Sequence, residues 1–218
     1  MSKGAERLDN IIICVFPVGI VETNCYIVYD KAAGNGKCVI IDPGDEAQKI
    51  CEKFETEGLQ PEAVLLTHGH FDHIWAVAGL KEKYPDIKIY ASKDEEELLR
   101  DPELNASALI RHPMTVEADV LLDDGEVFET AGLSFKNIAT PGHTVGSTSF
   151  LLENAQKLFC GDTLFENGVG RTDLPTGDRD VLKKSIEKLV KLPDETVCLP
   201  GHGRPTTIGR EKDIVQYI

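Results

Sequence analysis

Several things are scarce or missing in this chain. No stretch of its 218 residues approaches the roughly 20 consecutive apolar residues a membrane-spanning helix needs. Basic residues are in deficit: 23 Lys and Arg face 37 Asp and Glu, a formal charge of −14. Neutralising a phosphate backbone or an anionic membrane surface takes a surplus of cations. Neither nucleic acid nor membrane is therefore expected as a partner. Cys-x-x-Cys pairs are missing. The six cysteines (Cys14, Cys25, Cys38, Cys51, Cys160, Cys198) lie singly, mostly beside Ile, Val, Leu or Phe, and read as reduced core residues. The opening residues are interrupted by Glu6 and Asp9 before Ile11-Ile12-Ile13, with no small-residue cleavage site. No secretory signal is read there, and a cytoplasmic location is expected. Repeats, low-complexity tracts and linkers are also lacking, so residues 1–218 are expected to form a single domain.

What is present has a clear rhythm. Runs rich in Ile and Val at 11–16, 24–29 and 37–41 read as strands, bounded by turns such as Gly34-Asn35-Gly36. Ala47, Ile50, Cys51 and Phe54 recur at helical spacing, predicting a helix over 45–57 closed by Gly58. A short strand at 64–66, a helix over 74–84 stopped by Pro85, and a strand at 87–91 follow. Ser92 and Glu95 suit a capping box for a helix running to Arg100. The acidic run Asp94-Glu95-Glu96-Glu97 is then expected to be a solvated helix start. Residues 101–119 look irregular. Strands at 120–122, 126–128, 133–139, 147–152 and 157–160, a helix at 180–192 and a last strand at 197–199 complete the chain. Strands then helices, twice over, predict an α/β protein with two sheets face to face and helices outside, a four-layer αββα sandwich.

Five of the six histidines fall in loops just after apolar, strand-like runs. Leu65-Leu66 leads into Thr67-His68-Gly69-His70-Phe71-Asp72-His73. The run at 135–139 leads into Thr140-Pro141-Gly142-His143-Thr144, Phe159-Cys160 into Gly161-Asp162-Thr163, and Cys198-Leu199 into Pro200-Gly201-His202-Gly203. Strand ends hold side chains on a rigid rim, and neighbouring glycines permit tight turns. Imidazole and carboxylate suit Zn, Fe or Mn. His68, His70, Asp72, His73, His143, Asp162 and His202 are seven candidate ligands, too many for one tetrahedral ion. They suit two divalent ions, zinc first and iron or manganese as alternatives, sharing one carboxylate.

Thr-His-x-His-x-Asp-His followed by Pro-Gly-His-Thr, Gly-Asp-Thr and Pro-Gly-His resembles the signature of the metallo-β-lactamase superfamily, over nearly the whole chain. Gly161-Asp162-Thr163-Leu164-Phe165 and Ile40-Ile41-Asp42-Pro43-Gly44 are similar to its glyoxalase II (hydroxyacylglutathione hydrolase) group. The resemblance implies one metal on His68, His70 and His143, a second on Asp72, His73 and His202, and Asp162 bridging. It implies hydrolysis of a small thioester such as S-lactoylglutathione by a metal-bridging hydroxide, oriented by Asp72. Two departures concern substrate recognition. The sequence ends soon after His202, where glyoxalase II carries a helical extension that holds glutathione. Gly170-Arg171-Thr172-Asp173-Leu174-Pro175 stands where that enzyme has a basic-aromatic pair. This string resembles small stand-alone glyoxalase II-like proteins and also persulfide dioxygenases.

Two further residues are singled out. Asp42 is the candidate acceptor that fixes a ligand imidazole, the alternative being a plain turn residue in Asp-Pro-Gly. Arg171 is the candidate contact for an anionic thiol substrate, the alternative being a salt bridge to Asp173 or Asp178. His112 is read as a solvated loop residue and Trp75 as packing. An iron-dependent persulfide dioxygenase using one metal, and a non-catalytic metal-binding module, are the competing functions. A β-lactamase is disfavoured because export would be expected, and a nuclease by the charge.

Overall fold

A computed structural model describes residues 10–218; the reading of Glu6 and Asp9 at the start of the chain falls outside them. The first sheet contains β1 (Ile11–Val18), β2 (Thr23–Asp30), β3 (Lys37–Ile41), β4 (Gln60–Leu65), β5 (Lys88–Ser92) and β6 (Val120–Leu122), hydrogen-bonded in that order. The pairings β1–β2 and β2–β3 are antiparallel, and β3 through β6 run parallel. Helices α1 (Ala47–Glu57), α2 (Phe71–Ile74), α3 (Val77–Lys83) and α4 (Glu96–Arg100) lie among these strands in the chain. The second sheet has the order β14-β13-β10-β9-β8-β7. Its strands are β7 (Val127–Thr130), β8 (Leu133–Ala139), β9 (Thr148–Leu152), β10 (Lys157–Gly161), β13 (Val197–Pro200) and β14 (Thr206–Thr207). A small ribbon, β11 (Leu164–Phe165) with β12 (Gly168–Val169), and helices α5 (Arg179–Leu189) and α6 (Ile208–Glu211) complete it.

Side-chain alternation explains the layering. In β2 and β3, Tyr26, Val28, Val39 and Ile41 point one way and meet Phe135, Phe150, Leu152 and Phe159 of the other sheet. Their neighbours Cys25, Ile27, Cys38 and Ile40 point the opposite way, onto Ile50 and Phe54 of α1 and Val77 and Leu80 of α3. The second sheet repeats the scheme. Leu151, Leu158, Cys160 and Cys198 meet Leu182, Ile186 and Leu189 of α5. These strands are apolar on both faces because both faces are covered. Each fully buried Phe contributes about 1.5–3 kcal/mol of burial. The αββα sandwich is thus the fold, and the six cysteines are free, five of them buried. Among the described residues no helix is long and apolar enough to cross a membrane.

Three local expectations are corrected. The helix predicted over 74–84 begins earlier and is broken. The Ala76 N–H donates to the Pro43 carbonyl at 3.0 Å, which separates α2 from α3. The strand at 197–199 is not the last, since β14 and α6 follow it. The capping box at Ser92 is half formed. The Ser92 hydroxyl accepts from the Asp94 N–H at 3.3 Å, but Glu95 turns inward and is buried. His112 is exposed, as expected, and stacks on Trp75, ring centroids 4.9 Å apart and 25° from parallel.

Candidate metal centre

All five loop histidines, with Asp72 and Asp162, meet at one rim of the sandwich. The loop after β4 supplies His68 and His70 and runs into α2, which carries Asp72 and His73. The loop after β8 supplies His143, the turn after β10 supplies Asp162, and the turn after β13 supplies His202. Three triads have ligand atoms within 4.8 Å of one another: His68, His70 and His143; His68, His73 and Asp162; and Asp72, His73 and His202. Asp162 lies between the first and last. Its Oδ2 is 3.7 Å from His143 Nε2 and 3.6 Å from His202 Nε2, and its Oδ1 is 3.5 Å from His73 Nε2.

Four of the seven candidate ligands have an orienting partner beside the cluster. His143 Nδ1 donates to the Arg171 carbonyl at 2.8 Å, and His202 Nδ1 to the Val21 carbonyl at 3.1 Å, which leaves Nε2 of each ring facing the centre. Asp72 Oδ2 accepts the Thr23 hydroxyl at 3.0 Å and lies 3.2 Å from His202 Nε2. Asp42 accepts the Thr67 N–H at 2.8 Å and the Thr67 hydroxyl at 2.7 Å, and its Oδ2 approaches His73 Nδ1 to 3.0 Å. It is buried and in the left-handed region, φ 51°. The turn before His202 is gripped by β2. Asn24 Nδ2 donates to the carbonyls of Pro200 and Gly203, and the Tyr26 hydroxyl to that of Pro200. Helix α5 fixes the His143 loop, with Ser185 donating to the Pro141 carbonyl at 2.6 Å. Gly201 packs closely into the cluster: a Cβ there would stand 2.2 Å from Asp162 Oδ1 and 2.6 Å from His73 Cε1.

The electrostatics are those of a site arranged for cations. Burial holds His68 well below the usual imidazole range and lowers His70 to about 3, with neighbouring imidazoles adding to both. Burial likewise lowers His143. For His73 burial also opposes charge, but Asp72, Asp162 and Asp42 outweigh it and raise the group to about 10. Burial would raise Asp72, yet His73 and His202 hold it below the carboxylate range. His68 Nε2, His70 Nε2, both ring nitrogens of His73 and Asp162 Oδ1 are buried without a hydrogen-bond partner, the His73 Nδ1 contact with Asp42 being an ion-pair approach. Orphaned buried polar atoms are costly, and their convergence from the segment after β4 and the turn after β10 fits divalent ions. No cysteine enters the cluster. The donor set of imidazole and carboxylate is compatible with zinc, iron or manganese.

Beside the cluster opens a cavity of about 420 Å³ walled by Val21, Phe71, Ala106, Phe165 and Leu174, with Arg171 also lining it. The Arg171 guanidinium pairs with both oxygens of Asp173, at 2.7 and 2.8 Å. Sequence reasoning misses Thr23, Asn24 and the carbonyls of Val21 and Arg171. A Thr-Asn pair opening an otherwise apolar strand was the available signal for the first two. Backbone carbonyls leave none.

The metallo-beta-lactamase superfamily profile matches residues 18–202. Among curated relatives, "Probable metallo-hydrolase YqgX" of Bacillus subtilis is 40% identical over 201 residues, 90% of this chain and 92% of its own. "Hydroxyacylglutathione hydrolase GloC" of Haemophilus influenzae is 35% identical, covering 91% and 93%. Among solved structures, BLEG-1 B3 metallo-beta-lactamase superposes with a TM-score of 0.86 at 39% identity, over 93% of this chain and 97% of its own. TTHA1623 in a di-iron-bound form gives 0.82 at 36%, over 94% and 100%. With the αββα layers, the rim of histidines and these matches in hand, the chain belongs to the metallo-β-lactamase superfamily.

Proposed function

We propose that this chain, acting as one domain, is a two-metal hydrolase of small thioesters such as S-lactoylglutathione. The observation that carries the reading is Asp162, whose two carboxylate oxygens lie between one cluster of three ligands and another. His68, His70 and His143 would hold one ion, and Asp72, His73 and His202 the other. Two bound dications supply Lewis acidity and a water acidified towards neutral pH. Asp72 is fixed by Thr23, so its carboxylate would be placed to orient that water by accepting a hydrogen bond from it. Val21, Phe71, Ala106, Phe165 and Leu174 exclude bulk water from one side and contact the substrate's apolar atoms. Arg171 is the cation at this cavity. An anionic thiol substrate draws on it by sharing the guanidinium with Asp173. A thiolate leaves readily, so a strong general acid is not required. The likeness to GloC supports the thioester class.

A second reading, a persulfide dioxygenase, draws on the Gly-Arg-Thr-Asp loop. It needs a single iron and leaves the cluster of Asp72, His73 and His202 without a task, so we favour hydrolysis. The test is metal content after purification without chelators, with hydrolysis of S-lactoylglutathione, of simple acyl thioesters and of a chromogenic β-lactam assayed beside oxygen uptake on glutathione persulfide. Two metals per chain with thioester cleavage support the proposal. One iron with oxygen uptake, or cleavage of the β-lactam alone, overturns it.

A further inference from the structure

Glu95 is a buried acid that neither metal cluster uses. It is 1% exposed. Its Oε1 accepts the Gly69 N–H at 2.8 Å and its Oε2 accepts the Gly146 N–H at 2.8 Å. Gly69 sits between His68 and His70, and Gly146 lies three residues beyond His143. One carboxylate therefore ties the loop after β4, in one sheet, to the loop after β8, in the other. Those two segments hold all three ligands of one cluster. The other cluster rests on separate partners: Thr23 for Asp72, Asp42 for His73 and Val21 for His202.

The fit is close on both sides. A Cβ on Gly69 would stand 2.6 Å from a Leu98 methyl, and one on Gly146 would stand 2.2 Å from the Glu95 nitrogen. Glycine at both positions lets the start of α4 reach into the cleft between the loops. Burial pushes the Glu95 carboxyl up to about 7. The amides of Gly69 and Gly146 and the Thr144 hydroxyl oppose that push, and none of them carries a charge. A carboxylate buried without a cation is expensive, and an apolar residue could fill the same space at no such cost. What it does that an apolar residue could not is accept from two backbone amides at once.

We propose that Glu95 is a positioning residue that locks the His68–His70 loop to the His143 loop and sets the metal affinity of that cluster alone. This rests on the two-metal reading above. The test is chelator competition on Glu95→Gln, followed by metal release. Gln matches the size, but its one carbonyl oxygen accepts from one amide and its NH₂ faces the other. The two release steps are assigned beforehand with His70→Ala and His202→Ala. In Glu95→Gln the step that His70→Ala removes is expected to weaken roughly 10–100-fold, while the step that His202→Ala removes is unchanged. Glu95→Asp keeps the charge but is one methylene short, and is expected to weaken the same step.

Two unshifted steps, or two that shift equally, overturn the proposal while leaving two-metal binding in place. A wild type that retains no metal sinks the two-metal reading and this inference with it. Should neither variant fold, amide exchange on the metal-free wild-type protein decides. Gly69 and Gly146 are expected to be protected together, and free exchange at either one overturns the clamp.

Discussion

Replacing Asp42 by Asn tests how the fold selects the imidazole nitrogen that faces the centre. The native residue has φ 51°, a conformation Asn adopts more readily than most, so the backbone is expected to stay in place. The Asn oxygen keeps the Thr67 N–H that Asp42 Oδ1 now accepts. The NH₂ replaces Oδ2, which accepts the Thr67 hydroxyl and lies 3.0 Å from His73 Nδ1. The hydroxyl can reverse and accept. His73 Nδ1 must also become an acceptor, which moves the ring proton to Nε2. That nitrogen lies 3.5 Å from both Asp72 and Asp162 and cannot bind an ion while protonated. Loss of such an orienting partner costs roughly 10–100-fold in metal affinity, or about 1.4–2.8 kcal/mol. The metal-free fold keeps both Thr67 bonds but loses their charge assistance and the carboxylate's approach to His73, about 1–3 kcal/mol together. Chelator competition measures the first and urea unfolding of the metal-free protein the second. A folded Asp42→Asn that keeps both ions at wild-type affinity would show that Asp42 does not select the His73 nitrogen.

The layers were legible because covered strands must be apolar on both faces, and β2, β3 and β10 carry that pattern plainly. The candidate ligands were legible because Gly-flanked His and Asp at strand ends have few other uses, and the structure brings all seven to one rim. Less was legible where the partner is distant or is backbone. Glu95 obeys the local rule for a capping box, yet its carboxylate meets Gly69 and Gly146, 26 and 51 residues away. The break between α2 and α3 depends on the Pro43 carbonyl, which no helical periodicity encodes. Arg171 unites its two readings in part: it lines the cavity while pairing with Asp173, and its carbonyl orients His143.

Three other outcomes are expected. The Glu95 carboxyl titrates near 7 in the fold and near 4.5 when unfolded. Its protonated form is thus favoured by folding, and the stability it adds below pH 4.5 is lost as pH rises to about 7. In the metal-free protein this is about 3 kcal/mol, and the wild type minus Glu95→Gln difference in unfolding free energy across pH 4–8 isolates it from Asp94 and the histidines; a flat difference contradicts it. Gly201→Ala pushes a methyl into Asp162 Oδ1 and His73; both ions should be lost by elemental analysis, with a stability cost of about 1–3 kcal/mol. Arg171→Ala removes an exposed, solvent-screened pair with Asp173 and spares the carbonyl that holds His143. Metal content should be unchanged while KM for anionic thioesters rises, and an unchanged KM across several such substrates would remove Arg171 from the substrate site.

In the proposed centre, seven side chains from four loops converge to grip two cations through a shared Asp162. Elemental analysis of the protein equilibrated with zinc, iron or manganese and then freed of excess ion measures it most directly. Two ions per chain in the wild type, and a loss of binding in Asp162→Ala, are predicted. A wild type that retains none of the three metals, or an Asp162→Ala variant that still holds two, would contradict it.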